Sequence, residues 1–343
     1  MNVLFAPDYS LDNPYQQMLA AALGEQGCTI EFLSHYRRGL PLSRGCNSGS
    51  QLLHLHWPEA YFRAGSSRLA DWMRALRYPL DLALLGLRKP ILVTAHNLLP
   101  HKKSPLATIN MASTYRRAKR IIAHSAKAAD QVAQFYGIDR SKFRVIPHGD
   151  LAFGMPALID QEKAKSQLSL GNQPACLMFG ALAPYKGIEE IVEAWQLSDN
   201  SAKLYIVGDA FDAAYGTQLE QFVASKDRVS LVRRRVDDTE LHMWLSACDC
   251  AIYNYSRILT SGSACMARSL GVPIVLPQRL DTLDLGEPHS HVFRFDTVEG
   301  NFSDILRQAI ATTRHSDDAK DWRTQTSWSR VAADTLNLYR EVA

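Results

Sequence analysis

The sequence predicts an α/β protein made of two doubly wound, Rossmann-like domains that face each other across a cleft. Three observations carry that expectation. Short β-rich apolar runs alternate with helical patterns along the whole chain, the signature of βαβ units and parallel sheets. The alternation breaks once and restarts in the second half, near a polar, Gly- and Pro-bearing stretch at residues 168–174 that suits a linker. The 343 residues suffice for two cores of roughly 150–190 residues each.

Taken in order, the first-half strands fall at residues 3–6, 29–33, 52–56, 91–95, 120–123 and 144–146. The second-half strands fall at 175–179, 203–207, 229–232, 250–253, 274–276 and 292–293. Helical patterns sit between them, for example at 16–24, 125–136, 187–195 and 238–247. The domains are expected at residues 1–155 and 156–325, with a closing helix at 326–343 that returns to the N-terminal domain. In such sheets ligands bind beyond the carboxyl ends of the strands, so the residues that follow each strand are the ones to read for function.

Composition is that of an ordinary globular chain, with 46% hydrophobic and 21% charged residues. No run approaches the ~20 apolar residues needed to span a bilayer, and the N-terminus lacks the basic region of a signal peptide. Six scattered cysteines, with only one residue between Cys248 and Cys250 and no second ligand pair, suggest reduced thiols, no metal site and a cytoplasmic setting. The net charge of +3 hides an asymmetry: residues 1–150 carry +9 and residues 151–343 carry −6. The two halves are expected to meet different partners.

The second half carries the most informative segment. Thr260, Ser261, Gly262 and Ser263 form a hydroxyl- and glycine-rich loop before a short helix that stops at Gly271. Free amides and hydroxyls at a helix N-terminus suit an anion, although an ordinary Ser/Thr cap explains them equally well. Upstream, a strand ends at Gly180, and Lys186 and Gly187 open the next helix, so that Lys186 can reach a phosphate. Another strand ends in Gly208-Asp209, and Arg233-Arg234-Arg235 follows the one after it.

This succession, with Asn254-Tyr255 before the hydroxyl loop, resembles the nucleotide-binding half of bacterial GT-B glycosyltransferases of the group 1 type. The resemblance implies that Lys186, Thr260, Ser261, Gly262 and Ser263 hold a diphosphate, and that Arg235, Asn254 and Tyr255 lie near the base and ribose. Two departures matter. The family's common retaining members carry two glutamates eight residues apart around this loop, where this chain has Ile258 and Met266. An arginine usual after the first glycine is replaced by Ala181. A retaining mechanism does not follow by default.

In the first half, His56-Trp57-Pro58-Glu59, His96-Asn97 with Pro100-His101, and Pro147-His148-Gly149 all follow strands, and Asp12 to Tyr15 follows the first one. With the hydroxyl loop, these phrases are similar to the xanthan-type GDP-mannose:glycolipid β-1,4-mannosyltransferases. That likeness implies inverting, metal-independent transfer of mannose from GDP-mannose to a polyprenyl-diphosphate-linked oligosaccharide in exopolysaccharide assembly. Inversion needs one general base for the acceptor hydroxyl; the candidates are Glu59, then His96, then Asp12. Tyr15, His56, Trp57, His101 and His148 are the expected acceptor contacts. Glu59 has a competing structural reading as a cap or a partner of Arg63.

Residues 61–77 carry Arg63, Arg68, Arg74 and Arg77 among Leu69, Trp72, Met73 and Leu76, and Arg88, Lys89, Lys102 and Lys103 follow. This suits peripheral docking on anionic headgroups at the inner face of the plasma membrane. The competing reading is an amphipathic helix packed on its own sheet. No nucleic-acid-binding module appears. Rival functions are transfer from a UDP-sugar such as UDP-glucose or UDP-glucuronate, a retaining outcome, a GT-B-like sugar-nucleotide 2-epimerase, or a non-catalytic scaffold.

Overall fold

Continuous apolar runs form strands buried on both faces, as a parallel sheet between helical layers requires. The computed structural model describes residues 1–11, 13–34, 39–62, 67–99, 106–198, 201–285, 291–314 and 316–343. Two compact units result. Unit 1 comprises residues 1–149, 282–284 and 325–343, and unit 2 comprises 150–281 and 285–324.

Unit 1 runs β1 (Asn2–Ala6), α1 (Pro14–Glu25), β2 (Thr29–Phe32), β3 (Leu52–Leu55), α2 (Arg68–Gly86), β4 (Ile91–Thr94), α3 (Ala107–Arg117), β5 (Arg120–Ala123), α4 (Ala126–Tyr136) and β6 (Phe143–Val145). Its strands are all parallel, in the order β2-β1-β3-β4-β5-β6. Strand order reverses between β1 and β3, which makes that pair a topological switch point. Asn13 caps α1, its side-chain oxygen accepting from Tyr15 N at 3.0 Å, with Pro14 in the first turn.

Helix α2 contains Pro79, which has no N–H to offer the Ala75 carbonyl one turn back. The amide of buried Asn110, on α3, donates to that carbonyl at 3.0 Å instead. On the same inner face the Asp81 carboxylate accepts from Leu42 N and Ser43 N, both at 2.8 Å, and from Ser43 Oγ at 2.6 Å. These bonds tie the long β2–β3 connection to α2.

Unit 2 runs α5 (Gln161–Gln167), β7 (Ala175–Phe179), α6 (Ile188–Leu197), β8 (Lys203–Gly208), α7 (Ala213–Val223), β9 (Val229–Arg233), α8 (Asp238–Ala247), β10 (Cys250–Ile252), α9 (Gly262–Ser269), β11 (Ile274–Pro277), β12 (Val292–Phe295), α10 (Phe302–Ile310) and α11 (Ser316–Gln325). The order is β12-β11-β10-β7-β8-β9, again all parallel, with its switch point between β7 and β10. Trp195, Phe295 and Phe302 are buried in the core on one side of this sheet. All six cysteines are free thiols, five of them buried.

The chain passes between units at Gly149–Asp150, and residues 168–174 are a loop inside unit 2 rather than a linker. The reason is α5, which the sequence reading did not separate from the connection. Gln161 Nε2 donates to Ala247 O at 3.1 Å and to Asp249 Oδ1 at 2.9 Å, while Asp249 Oδ2 accepts from Ala175 N at 2.7 Å. The last helix, α12 (Trp328–Val342), lies in unit 1 and packs on α1. Tyr339, on its buried face, bonds His54 Nδ1 through its hydroxyl at 2.7 Å.

Candidate functional site

In unit 2 the glycines at the strand ends have steric duties. A Cβ on Gly208 would stand 2.2 Å from Gly180 O, so the ends of β7 and β8 approach as only glycine permits. Gly187, at φ +59, would drive a Cβ to 2.6 Å from the Asn254 amide nitrogen. This closeness brings Lys186, at the end of β7, beside the β10 end.

Lys186 is buried. Its ammonium donates to Phe179 O at 2.9 Å and stands 5.9 Å from the centre of the Tyr255 ring. Burial pulls that ammonium down to about 8. Tyr255 Oη lies 3.1 Å from both Ser261 Oγ and Ser263 Oγ, which are also 3.1 Å apart. Ser261 caps α9, accepting from Ala264 N at 3.2 Å, while the amides of Gly262 and Ser263 meet no acceptor among the described residues. The loop is therefore both a helix cap and a set of free donors: the two readings of Ser261 to Ser263 coexist. Thr260, half-buried, leads into it.

Asn254 and Arg235 are placed differently from each other. The Asn254 amide donates to Glu190 Oε2 at 2.7 Å and Gly187 O at 3.2 Å, and its oxygen accepts from Arg279 Nη2 at 2.6 Å. It joins three elements at the sheet edge, and its polar atoms are already engaged. Of the arginine run, Arg233 pairs with Glu220 at 2.7 Å and Arg234 grips Glu240 with both amino groups. Arg235 is exposed, with no ion-pair partner among the described residues. Ile258 and Met266, the two positions where the resemblance led one to look for carboxylates, are half-buried.

In unit 1 the carboxyl ends of four adjacent strands each deliver a histidine: His56 after β3, His96 after β4, His124 after β5 and His148 after β6. They gather around Tyr15, whose ring centre lies 5.9 Å from His56, 5.0 Å from His96, 5.5 Å from His124 and 4.9 Å from His148. Trp57 stacks on His96 at 4.1 Å with an interplanar angle of 13°. His56 Nδ1 lies 3.3 Å from His96 Nε2, so one of the two donates.

Electrostatically this is a nest of neutral imidazoles. Burial lowers His56 and His124 to about 3 and, with the neighbouring histidines, lowers His54 and His96 well below the ordinary range. His124 Nδ1 donates to Ile146 O at 3.0 Å, which leaves Nε2 as an acceptor. That buried Nε2 and the Nε2 of His56 have no partner among the described residues. Burial likewise raises the Tyr15 phenol.

Glu59 sits in a 3-10 turn, Pro58–Tyr61, just beyond His56 and Trp57. It is half-buried, and its Oε1 accepts from Asn97 Nδ2 at 3.2 Å. The turn thus brings Glu59 to the residue after His96. Asp12, His101 and Arg63 lie outside the described residues. Among the described residues no group of three or more His, Cys, Asp or Glu is arranged to hold a metal ion.

Sequence reasoning missed His124, which carries the same signal as its neighbours, a histidine directly after an apolar strand. It also missed Glu190 and Arg279, for which no local signal exists, because they meet Asn254 only through the fold.

Residues 15–150 match the family Glycosyltransferase Family 4. The GDP-mannose:glycolipid 4-beta-D-mannosyltransferase of Xanthomonas campestris pv. campestris is 28% identical over 305 residues, covering 84% of this chain and 79% of the relative. A D-inositol 3-phosphate glycosyltransferase of Nocardia farcinica is 30% identical over 119 residues, 31% of this chain and 26% of its own. Among solved structures, Anabaena HepE with UDP and glucose superposes with a TM-score of 0.74 at 15% identity, covering 99% of this chain and all of that one. The sucrose-phosphate synthase of Thermosynechococcus elongatus superposes with a TM-score of 0.72 at 17% identity, covering 99% of this chain and 98% of the other.

Proposed function

We propose that this chain, which has the two-sheet fold of its GT-B neighbours, is a glycosyltransferase that transfers mannose from GDP-mannose, with inversion, to a lipid-linked oligosaccharide in exopolysaccharide assembly. The donor identity rests on the likeness to the Xanthomonas mannosyltransferase. The observation that carries the chemistry is the placement of Lys186 5.9 Å from the ring of Tyr255, whose hydroxyl meets Ser261 and Ser263 at the start of α9, at the switch point of unit 2. A departing diphosphate needs charge-stabilising donors held in place beforehand, and the buried ammonium with the Gly262 and Ser263 amides meets that need without a metal ion. Arg235, exposed and without an ion pair among the described residues, reaches the nucleotide in this reading. Tyr255, through Ser261 and Ser263, sets the loop's shape, and Asn254 holds the β10 end against Gly187.

In this reading unit 1 holds the acceptor. Half-buried Trp57, backed by the buried rings of Tyr15, His56 and His148, offers an aromatic face of the kind that suits a sugar ring. Glu59 takes the proton of the acceptor hydroxyl as its oxygen bonds the anomeric carbon and the bond from that carbon to the diphosphate breaks. His96 is the weaker candidate base, since burial removes most of its affinity for a proton. The hydrophobic loss of carboxylates at Ile258 and Met266 agrees with a base supplied from elsewhere than the donor loop. The lipid-linked acceptor implies a peripheral enzyme on the inner face of the plasma membrane. No described helix is long and apolar enough to cross a membrane.

A thermal-shift panel of GDP, UDP and ADP tests the donor. Selective stabilisation by GDP supports GDP-mannose, and a UDP preference overturns it. Turnover unaffected by EDTA, with a β-linked product by NMR, supports metal-independent inversion; an α-linked product refutes it.

A further inference from the structure

Unit 2 holds a cavity apart from the region of Lys186 and Tyr255. It has a volume of about 410 Å³ and lies between the segment before α5, the turn Ser269–Gly271 that joins α9 to β11, and helix α11. That volume is within the range of small-molecule sites. The cavity sits beside the amino end of β11, while the hydroxyl loop is at the opposite end of α9, about 12 Å away along the helix. Its wall is apolar at Leu158, Ile159 and Leu270 and cationic at Arg314, Lys320 and Arg323. Among the described residues no Asp or Glu lines it.

The three cations differ in how far their charge is already met. Exposed Lys320 pairs with Asp317 at 3.1 Å. Arg323 Nε donates to the buried Asp150 carboxylate at 3.0 Å, and its two terminal amino groups have no acceptor among the described residues. Half-buried Arg314 meets no carboxylate among the described residues. Its Nη2 donates to the carbonyls of Leu245, at 3.1 Å, and Cys248, at the end of α8. Such a cap suits the negative end of a helix, but it occupies one nitrogen and leaves Nε and Nη1 for solvent or a ligand. Ser269, in the same lining, is 2% exposed, and its hydroxyl has no partner among the described residues. Buried hydroxyls are nearly always partnered, and paired guanidinium donors suit an anion of fixed geometry.

We propose that this cavity binds a small phosphate monoester, its phosphate held by Arg314, Arg323 and Lys320 and its apolar body laid against Leu158, Ile159 and Leu270. A phosphate monoester carries nearly two charges at pH 7 and three acceptor oxygens, which three converging cations can share. A carboxylate offers one charge and two oxygens. Inorganic phosphate would leave the apolar wall unused. The site goes beyond the transfer reaction and does not depend on it, since none of its lining residues is assigned to the donor or the acceptor.

The test uses the full chain with saturating GDP, which fills the donor loop, and phenyl phosphate as the probe. Isothermal titration calorimetry is expected to show one phenyl phosphate per chain, bound about tenfold more tightly than inorganic phosphate, with no heat from phenol. Lys320→Glu, at an exposed position, should weaken the probe at least about tenfold and leave the GDP-induced melting shift intact. Arg314→Gln should weaken it by as much. Because Arg314 also caps α8, Ala157→Trp, at an exposed lining position, serves as a second variant that occludes the cavity. Lys186→Met should leave the affinity for the probe unchanged. Absence of binding overturns the proposal, as does binding that Lys320→Glu and Ala157→Trp leave untouched or that Lys186→Met removes. Benzoate bound as tightly as phenyl phosphate overturns the phosphate assignment. Failure of GDP to bind would refute the donor reading alone, because Lys186→Met and Lys320→Glu still separate the two sites.

Discussion

Lys186 makes a prediction whose sign and size both follow from its burial. Its ammonium, lowered to about 8, is about nine-tenths charged at pH 7 and about one-tenth charged at pH 9. A bound diphosphate restores the charged form, so above pH 8 each ligand must bring a proton with it. Affinity for GDP is therefore expected to be flat below about pH 7.5 and to fall about tenfold per pH unit from 8 upward, about 1.4 kcal/mol for each unit. The unliganded protein shows the opposite trend. Its unfolded lysine keeps a proton to about 10.5 while the folded one releases it near 8, so folding stability from this group rises with pH across that window. Isothermal titration calorimetry in buffers of different ionisation enthalpy reads the uptake directly, near zero protons per GDP at pH 7 and close to one at pH 9. Lys186→Met should weaken GDP binding by about 10- to 100-fold at pH 7, the size of a lost charge-assisted hydrogen bond, and should erase the pH dependence. A dissociation constant that stays level from pH 7.5 to 9.5 without proton uptake would refute the placement of this ammonium on the diphosphate.

Four further outcomes are expected. Glu59→Gln should lower turnover by about 10²- to 10⁴-fold while leaving the GDP-induced melting shift intact; full activity in a transfer assay would remove Glu59 as the base. Gly208→Ala, which forces a Cβ to 2.2 Å from Gly180 O, should cost about 1–3 kcal/mol and lower the melting temperature by several degrees. Asn110→Ala leaves the Ala75 carbonyl freed by Pro79 without its donor and should cost about 1–3 kcal/mol in urea unfolding. On acidification, unit 1 should lose stability as pH falls from about 6.5 toward 3, because unfolded histidines take up protons that buried His56 and His124, lowered to about 3, refuse. Circular dichroism melts that are flat from pH 7 to 4 would show the nest to be solvated.

The strands were legible because strands buried on both faces are written as unbroken apolar runs. All twelve lie where the sequence placed them, with ends displaced by a residue or so, as at β6, which spans Phe143–Val145. Trp57 and Tyr255 could be singled out because they lie just past strand ends, and Tyr15 and Lys186 because they lie where the connection after a strand turns into the next helix. What stayed hidden depends on contacts distant in sequence. Asn254 advertised an amide for a ligand, yet Glu190 and Arg279 occupy it. Helix α2 advertised charge, yet only the fold decides which of its faces is covered. Residues 168–174 looked like a linker because a short helix, α5, is hard to distinguish from connecting chain when its partners Ala247 and Asp249 lie some eighty residues downstream.

The return of α12 to unit 1 has a bearing on the order in which this chain acquires its structure. Domains tend to fold as units during synthesis, the N-terminal one first. Here α12, which follows every element of unit 2 in the chain, supplies Trp328, against which Gly149 packs so tightly that a Cβ would meet its ring at 2.4 Å. It also supplies Tyr339, whose hydroxyl holds His54 under the histidine nest. Unit 2, whose chain ends at residue 324, has its full complement of strands and helices before that helix is made. Unit 1, whose first strands precede unit 2 in the chain, is thus completed only after unit 2, and the nascent histidine nest stays incomplete until α12 arrives.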